Sequence, residues 1–299
     1  MTRIESPSSI NLYRQCPRRY YYAYIEKLPT KENIYTSRGG IVHKTLEQFF
    51  QTNTVLLTEE NYDIVLKVVL MNLFNSYWKE SQPKILELLE HNPLIMNHYY
   101  YETMAMIDNW FKAFLEKFRQ QLPGKNVQEA FLAVKPETEQ RFVSDFYQVQ
   151  GYVDAVYEDE KGVTLLDYKT SRKDSINEEY KLQLGVYALL YRENKKVIPK
   201  RAGIQFLGDG KTSYLEVDEP LILRAEFACR EMQEHTKSKE RCKYKNSALF
   251  NGPLKPRGNF PVRIGEYFLG SYIPFFSIGK YVTHGYALLT LRAAELARN

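Results

Sequence analysis

The stretch FLAVKPETEQRFVSDFYQVQGYVDAVYEDEKGVTLLDYKT, residues 131–170, has the clearest β-strand pattern in the chain. β-Branched and aromatic residues alternate with polar ones along it, and residues 160–162 form a turn signal. This alternation is typical of strands that bury one face. The stretch therefore predicts a β-meander.

Two acidic motifs lie in the second half of this stretch. GYVDAV (151–156) places Asp154 on one strand, and LLDYKTS (165–171) places Asp167 and Lys169 two residues apart on the next. Side chains two apart on a strand point to the same side, and the hairpin brings Asp154 within reach of them. Two carboxylates in a partly desolvated cleft repel each other, so a divalent cation with oxygen ligands, Mg²⁺ or Mn²⁺ rather than Zn²⁺, is expected. The alternative is an ordinary exposed Asp–Lys ion pair.

The sequence after this stretch predicts further helices and strands. The hydrophobic spacing is helical over 176–195 and 219–237, and it is that of strands in RAGIQFL (201–207) and KTSYLEV (211–217). A turn at residues 208–210 joins the two strands. Together with the meander, these elements predict a mixed α/β fold.

The sequence before the meander is mainly helical. Ser8 or Ser9 is expected to cap a helix that Pro17 interrupts or restarts. Another helix begins at about residue 38 in RGGIVHKTLEQFF, with His43 in its first turn. Residues 58–122 have helical periodicity and are interpreted as a helical insertion.

Composition limits the class of protein without deciding its function. The 299 residues include 41 Lys plus Arg and 36 Asp plus Glu, so the net charge of +5 permits a polyanionic partner without requiring one. Ordinary hydrophobic and charged fractions, 44% and 26%, exclude a disordered or collagen-like chain. Because the sequence has neither a signal-peptide pattern nor an apolar window of about 18 residues, a cytoplasmic location without membrane contact is expected.

A third motif follows the acidic pair. In KLQLGVYALLY (181–191), Gln183 and Tyr187 lie four apart on one face of an otherwise apolar helix. The alternative is a solvent-facing Gln beside a core Tyr. His43, likewise, can be a core or capping histidine when it is considered alone.

Five motifs in order carry a family resemblance: SPSSINLYRQCPRRYYY, RGGIVH, GYVDAV, LLDYKT and QLGVYALLY, within residues 6–191. With them the chain resembles the RecB-type nucleases of the PD-(D/E)XK superfamily, which include nuclease domains of recombination helicases and CRISPR-associated RecB-like exonucleases. The resemblance implies an α/β restriction-endonuclease-like core, with a mixed β-sheet flanked by helices. It also implies a nuclease domain over 1–242 with a helical insertion at 51–128, which leaves 243–299 as an unassigned extension.

The resemblance also implies roles for individual residues. It implies metal ligation by His43, Asp154, Asp167 and the backbone carbonyl of Tyr168. It further implies that Lys169 orients the attacking water or stabilises the phosphorane, and that Gln183 and Tyr187 steady the Lys and the scissile phosphate. Glu139 is a candidate for a further carboxylate from the preceding strand; the alternatives are that Glu137 takes this place or that both are solvated.

The expected activity is Mg²⁺- or Mn²⁺-dependent hydrolysis of DNA phosphodiester bonds. An exonuclease acting on single strands or DNA ends is expected, in repair, recombination or CRISPR spacer acquisition. A helicase or a CRISPR integration protein is a possible partner. The alternative is a catalytically silent DNA-binding subunit of a DNA-processing complex.

Many relatives in this family hold an iron–sulfur cluster, and here the cysteine pattern departs from theirs. Cys16 matches the N-terminal ligand position, but only Cys229 and Cys242 follow, thirteen residues apart. Because four thiolates are the usual ligand set, no cluster is expected. A site with three thiolates and another ligand is the alternative.

Basic and aromatic residues flank the motifs and are candidates for DNA contacts. The candidates are Arg18, Arg19, Tyr21, Arg172 and Lys173. Arginine and lysine can bind phosphates, and tyrosine can stack on unpaired bases. A second basic run spans 237–245. The alternative for each position is a solvated surface or a core ring.

Overall fold

A computed structural model describes residues 3–30, 32–171 and 175–245. Its centre is one five-stranded sheet in the order β1-β2-β3-β4-β5. The strands are β1 (Glu137–Ser144), β2 (Val149–Asp159), β3 (Gly162–Lys169), β4 (Arg201–Phe206) and β5 (Thr212–Glu216). β1, β2 and β3 form the predicted antiparallel meander, β3 and β4 are parallel, and β4 and β5 are antiparallel. The mixed α/β fold is thus confirmed.

Eight α-helices surround the sheet in the described ranges. They are α1 (Pro7–Gln15), α2 (Pro17–Tyr20), α3 (Ile34–Phe49), α4 (Tyr62–Leu88), α5 (Pro93–Gln121), α6 (Val127–Val134), α7 (Glu178–Lys195) and α8 (Glu219–His235). A π-helix (Tyr21–Ile25) continues α2, and a short 3₁₀-helix covers Arg241–Lys243. None of the described helices has the length and apolar character needed to cross a bilayer.

Each face of the sheet has its own hydrophobic core. Helices α3 to α6 pack on one face against Ala155, Leu166 and Tyr168. Helices α1, α2, α7 and α8 pack on the other, against residues that include Val153 and Leu165. Helix α7 also makes the crossover that parallel strands such as β3 and β4 require. The sheet is therefore buried on both sides.

The predicted strand pattern begins too early. Residues 131–134 belong to α6, which Asn126 and Glu129 start with a reciprocal capping box. Phe131 and Val134 are buried three residues apart, a spacing that also fits a helix. A stretch of only four residues with this spacing does not distinguish a strand from a helix. The capping box is the feature that indicates a helix here.

Two helix starts also differ from the prediction. Ser6, not Ser8 or Ser9, caps α1, since its side chain accepts from the Ser9 backbone N–H. Helix α3 begins at Ile34 after an Asn33 cap, so His43 lies in its third turn rather than its first. The glycine pair at 39–40 is inside this helix and does not start it. Pro17 restarts the helix, as predicted.

Candidate active site

The candidate site lies where β2 and β3 separate. Their pairing ends at Ala155 opposite Leu166, whereas β3 continues beside β4 as far as Lys169. Asp154 fills this fork, because its Oδ2 accepts a hydrogen bond from the Tyr168 backbone N–H at 2.6 Å. Asp154 and Asp167 are 8% and 3% exposed, so both carboxylates are largely shielded from solvent. The two acidic motifs therefore meet, as their spacing predicts.

Three side chains converge on one side of the fork. The ligand atoms of His43, Glu139 and Asp154 all lie within 4.8 Å of one another. Nδ1 of His43 is 3.1 Å from Asp154 Oδ1 and 3.8 Å from Glu139 Oε1. Two ligands of one octahedral Mg²⁺ are about 3 to 4 Å apart when each lies about 2.1 Å from the ion. The His43–Glu139–Asp154 group thus has the donor chemistry and spacing of a site for a small divalent cation.

Glu139 was the sequence candidate for a further carboxylate, with Glu137 as its competitor, and the two have different surroundings in the structure. Glu137 is exposed and pairs with Val156, whereas Glu139 is half-buried beside His43. Glu139 also has a φ of 49°, which is unusual for a residue other than glycine. Such a backbone conformation costs about 1–3 kcal/mol and persists where the surroundings impose it.

Asp167 lies beside the His43–Glu139–Asp154 group and has its own partners. Its Oδ2 is 2.7 Å from Lys169 Nζ, and its Oδ1 accepts from Gln183 Nε2 at 2.9 Å and from the Tyr187 hydroxyl at 3.3 Å. Gln183 Nε2 also donates to the Tyr187 hydroxyl at 2.8 Å. The family resemblance implies that Gln183 and Tyr187 steady Lys169 and the scissile phosphate, and in the structure both donate hydrogen bonds to Asp167, the partner of Lys169. α7 thereby orients the carboxylate and, through it, the lysine.

The charges of the site are strongly coupled. Burial raises the pKa of Asp167, Lys169 lowers it, Asp154 raises it again, and the result is about 6. Burial lowers the pKa of His43, but Asp154, Glu139 and Asp167 outweigh this effect and raise it to about 10. Burial also lowers the pKa of Lys169, which Asp167 and Asp154 raise above its ordinary value. These shifts show that the carboxylates attract positive charge, and a cation that binds His43 would displace the proton of the imidazole.

A glycine in the GYVDAV motif lets α7 approach the sheet. A Cβ at Gly151 would lie 3.0 Å from Tyr187 Cε1 and 3.2 Å from Leu190 Cδ1. Since nine in ten real Cβ contacts are longer than 3.4 Å, a side chain here would push α7 outward. Gly151 therefore helps to place Tyr187 against Asp167.

Comparison with known proteins agrees with this geometry. The family profile of the PD-(D/E)XK nuclease superfamily matches residues 5–259. The chain belongs to this superfamily. The match confirms the resemblance that the five motifs carry.

Similar proteins include two curated relatives and one solved structure. The relatives are ATP-dependent helicase/nuclease subunits from Thermoanaerobacter sp. (strain X514) and from Thermoanaerobacter pseudethanolicus (strain ATCC 33223 / 39E), each 36% identical over 77 residues. Each match covers 23% of this chain and 6% of the relative's length. A crystal structure of a Eubacterium rectale protein named as an exonuclease aligns with a TM-score of 0.48 and 9% identity, over 85% of this chain and 90% of that one.

The predicted DNA-contact residues fall into three groups. Arg19 is exposed and lines a groove of about 260 Å³ between α1 and α7 that also reaches Gln183. Arg18 and Tyr21 instead hold the end of the described chain: Arg18 Nε donates to the Tyr244 carbonyl at 2.7 Å, and the Tyr21 and Tyr244 rings are 5.0 Å apart. Arg172 and Lys173 lie outside the described residues. Of the three described residues, only Arg19 lines this groove.

The three cysteines have different surroundings. Cys16 is buried between α1 and α2, Cys229 is buried in α8, and Cys242 is exposed. Burial raises the pKa of Cys229 to about 12, which disfavours the thiolate that an iron–sulfur cluster needs. Absence of a cluster stays a prediction.

Proposed function

We propose that the protein is a deoxyribonuclease that uses Mg²⁺ or Mn²⁺ to hydrolyse phosphodiester bonds. The observation that carries the proposal is the fork between β2 and β3, where the His43–Glu139–Asp154 group lies beside the Asp167–Lys169 ion pair. Superfamily membership supports nuclease chemistry. The choice of DNA, the metal and the roles of individual residues are parts of the proposal.

The donor set supports a hard cation. His43, Glu139 and Asp154 would hold it, and Asp167 and the Tyr168 carbonyl are the further ligands that the family pattern suggests. Two or more carboxylate oxygens favour Mg²⁺ or Mn²⁺ over metals that prefer sulfur. When bound, such an ion supplies an activated water and neutralises charge on the phosphate.

Lys169 is the proposed catalytic cation of the chain itself. Its ammonium is held at the end of β3 by Asp167, and neighbouring carboxylates keep it protonated. A fixed positive charge at this point would stabilise the extra negative charge that develops on the phosphate in the transition state. Gln183 and Tyr187 act as positioning residues, because they orient Asp167.

We propose single-stranded DNA or DNA ends as the substrate. Arg19 gives the groove between α1 and α7 a cation for a phosphate close to Gln183. Relatives named as helicase/nuclease subunits suggest a helicase as the partner that would supply unpaired ends. Action in repair, recombination or CRISPR spacer acquisition stays a prediction.

The test is incubation of the full chain with end-labelled single- and double-stranded DNA, with Mn²⁺, Mg²⁺ or EDTA. We expect cleavage with either ion and none with EDTA. Labels at the 5′ or 3′ end, together with a circular substrate, separate cutting from an end from internal cutting. Binding of DNA without cleavage under every metal condition would contradict the proposal and support the silent DNA-binding role instead.

A further inference from the structure

An exposed tyrosine lies at the start of α3, the helix that carries His43. Tyr35, the second residue of that helix, is 61% exposed. Its ring meets the half-buried Tyr99 of α5 edge to face, with centroids 5.9 Å apart and planes at 87°. The Tyr99 hydroxyl donates to the Tyr35 hydroxyl at 3.4 Å. A neighbouring element therefore supports the Tyr35 ring, although most of its surface faces solvent.

A buried arginine connects this tyrosine pair to the candidate site. Arg38 is 3% exposed, and its guanidinium carbon lies over the rings of Tyr35 and Tyr99, 5.6 Å from each centroid. Its Nη1 forms an ion pair with Glu102, and its Nη2 donates to the Thr170 carbonyl at 3.5 Å. Thr170 directly follows Lys169. One side chain thus spans the distance between the end of β3 and the tyrosine pair.

Tyr101 is a second exposed tyrosine and provides a comparison with Tyr35. It is 62% exposed on the same helix as Tyr99, but its ring lies against Tyr100, 5.2 Å away. Two residues along a helix correspond to a rotation of about 200°, so Tyr101 and Tyr99 lie on nearly opposite faces of α5. Tyr35 and Tyr101 therefore match in residue type and exposure and differ in their position relative to the site.

We propose that Tyr35 is a stacking platform for one unpaired nucleobase of the DNA strand that is cut. The proposal rests on the nuclease function above and adds a base contact, at Tyr35, to the single-stranded substrate proposed there. An exposed ring with a rigid backing can stack on a base of any sequence, because every base has a π face. The Arg38 guanidinium carbon lies 5.6 Å from the Tyr35 ring centroid, and most of the Tyr35 surface stays exposed for a base. A base in a duplex is already stacked and paired, so this contact favours unpaired DNA.

The test measures binding without cleavage. The full chain carrying Asp167→Asn is titrated onto a fluorescent single-stranded oligonucleotide with Mg²⁺, and the affinity is read from anisotropy. We expect Tyr35→Ala to weaken binding by about 5- to 150-fold at every salt concentration, and Tyr35→Trp to keep it. Tyr101→Ala is the matched control and should bind like the parent.

Oligonucleotides with one abasic position locate the contact. One abasic position should weaken binding to the parent and have little further effect in Tyr35→Ala, because the same contact is already lost. Equal affinities of the parent and Tyr35→Ala for every oligonucleotide would overturn the stacking proposal. The wild-type cleavage assay separates this failure from failure of the nuclease function. If the wild type cuts DNA but Tyr35→Ala does not change binding, only the stacking proposal is wrong.

Discussion

Glu139 has its carboxylate at the proposed metal site and a strained backbone conformation, with a φ of 49°. Replacing it with Gln removes one negative ligand and leaves the shape of the side chain. We expect Glu139→Gln to weaken Mn²⁺ binding by about 10-fold or more, with a matching loss of cleavage at limiting metal. Glu137→Gln, on an exposed position two residues earlier, is the control and should titrate like the parent. If calorimetry gives equal Mn²⁺ affinities for the parent and Glu139→Gln, Glu139 is not a metal ligand.

His43 gives the metal-free protein a distinct dependence of stability on pH. Its folded pKa of about 10 lies above the ordinary value of 6.5, so the folded protein binds more protons than the unfolded chain between these values. The stabilisation is complete below about pH 6.5 and is lost as the pH rises towards 10. We therefore expect the melting temperature in EDTA to fall over this range, and His43→Gln to flatten the fall. If the melting temperatures of the parent and of His43→Gln fall equally over this pH range, the interaction of His43 with the carboxylates is contradicted.

The sequence predicts those site residues whose placement depends on short-range spacing along one strand or helix. Asp167 and Lys169 follow from period-two alternation, and Gln183 and Tyr187 follow from helical spacing. Glu137 stayed a competitor of Glu139, because alternation alone places both on one face and does not predict a positive φ. The hydrogen bonds from α7 to Asp167 depend on how a helix packs on the sheet, which short-range spacing does not specify.

At the scale of elements, the contact between α7 and β2 depends on Gly151. We expect Gly151→Ala to destabilise the protein by about 1–3 kcal/mol, because its Cβ would press on Tyr187 and Leu190. Cleavage should fall as well, since Tyr187 would move relative to Asp167. Urea unfolding and single-turnover cleavage measure the two effects.

Gly40 provides the control for this substitution. A Cβ there meets nothing within 4 Å, so Gly40→Ala should leave stability unchanged or raise it by up to about 1 kcal/mol. If Gly151→Ala unfolds at the same urea concentration as the parent, the close approach of α7 to β2 does not contribute to stability.

The elements that could be predicted have strong periodicity. The meander, the β4–β5 hairpin and helices α7 and α8 follow from such patterns, and all four are present. The starts of α3 and α6 were missed because each depends on one capping asparagine, Asn33 or Asn126. A cap is a single hydrogen-bonded residue, and an asparagine occurs in turns equally well.

At the scale of the molecule, Tyr244 joins the end of the described chain to its beginning. It is fully buried beside Tyr13, Tyr20 and Tyr21, and the Lys245 carbonyl accepts from the Arg18 N–H at 3.2 Å. We expect Tyr244→Ala to cost about 3–5 kcal/mol of unfolding free energy. Tyr244→Phe should cost about 1 kcal/mol, because it loses only the hydrogen bond to the Ser238 carbonyl. Similar urea midpoints for all three proteins would show that this contact does not stabilise the fold.

The predicted nuclease domain ends at residue 242, two residues before Tyr244. The domain limits at 1–242, 51–128 and 243–299 stay predictions. A buried aromatic residue just beyond the boundary could not be recognised, because the sequence there has no clear periodicity. The resemblance covered residues 6–191, whereas the superfamily profile extends over 5–259. The order of motifs was therefore enough to predict the fold.

The proposed active site is tested most sharply by single-turnover cleavage of end-labelled single-stranded DNA by the Asp167→Ala protein in saturating Mn²⁺. Asp167 is central because it links the lysine, α7 and the carboxylate cluster. We expect no cleavage above the EDTA background, with a circular dichroism spectrum like that of the parent, since the substitution also relieves repulsion between Asp167 and Asp154. Cleavage by Asp167→Ala at the parent's rate would contradict the assignment of the active site.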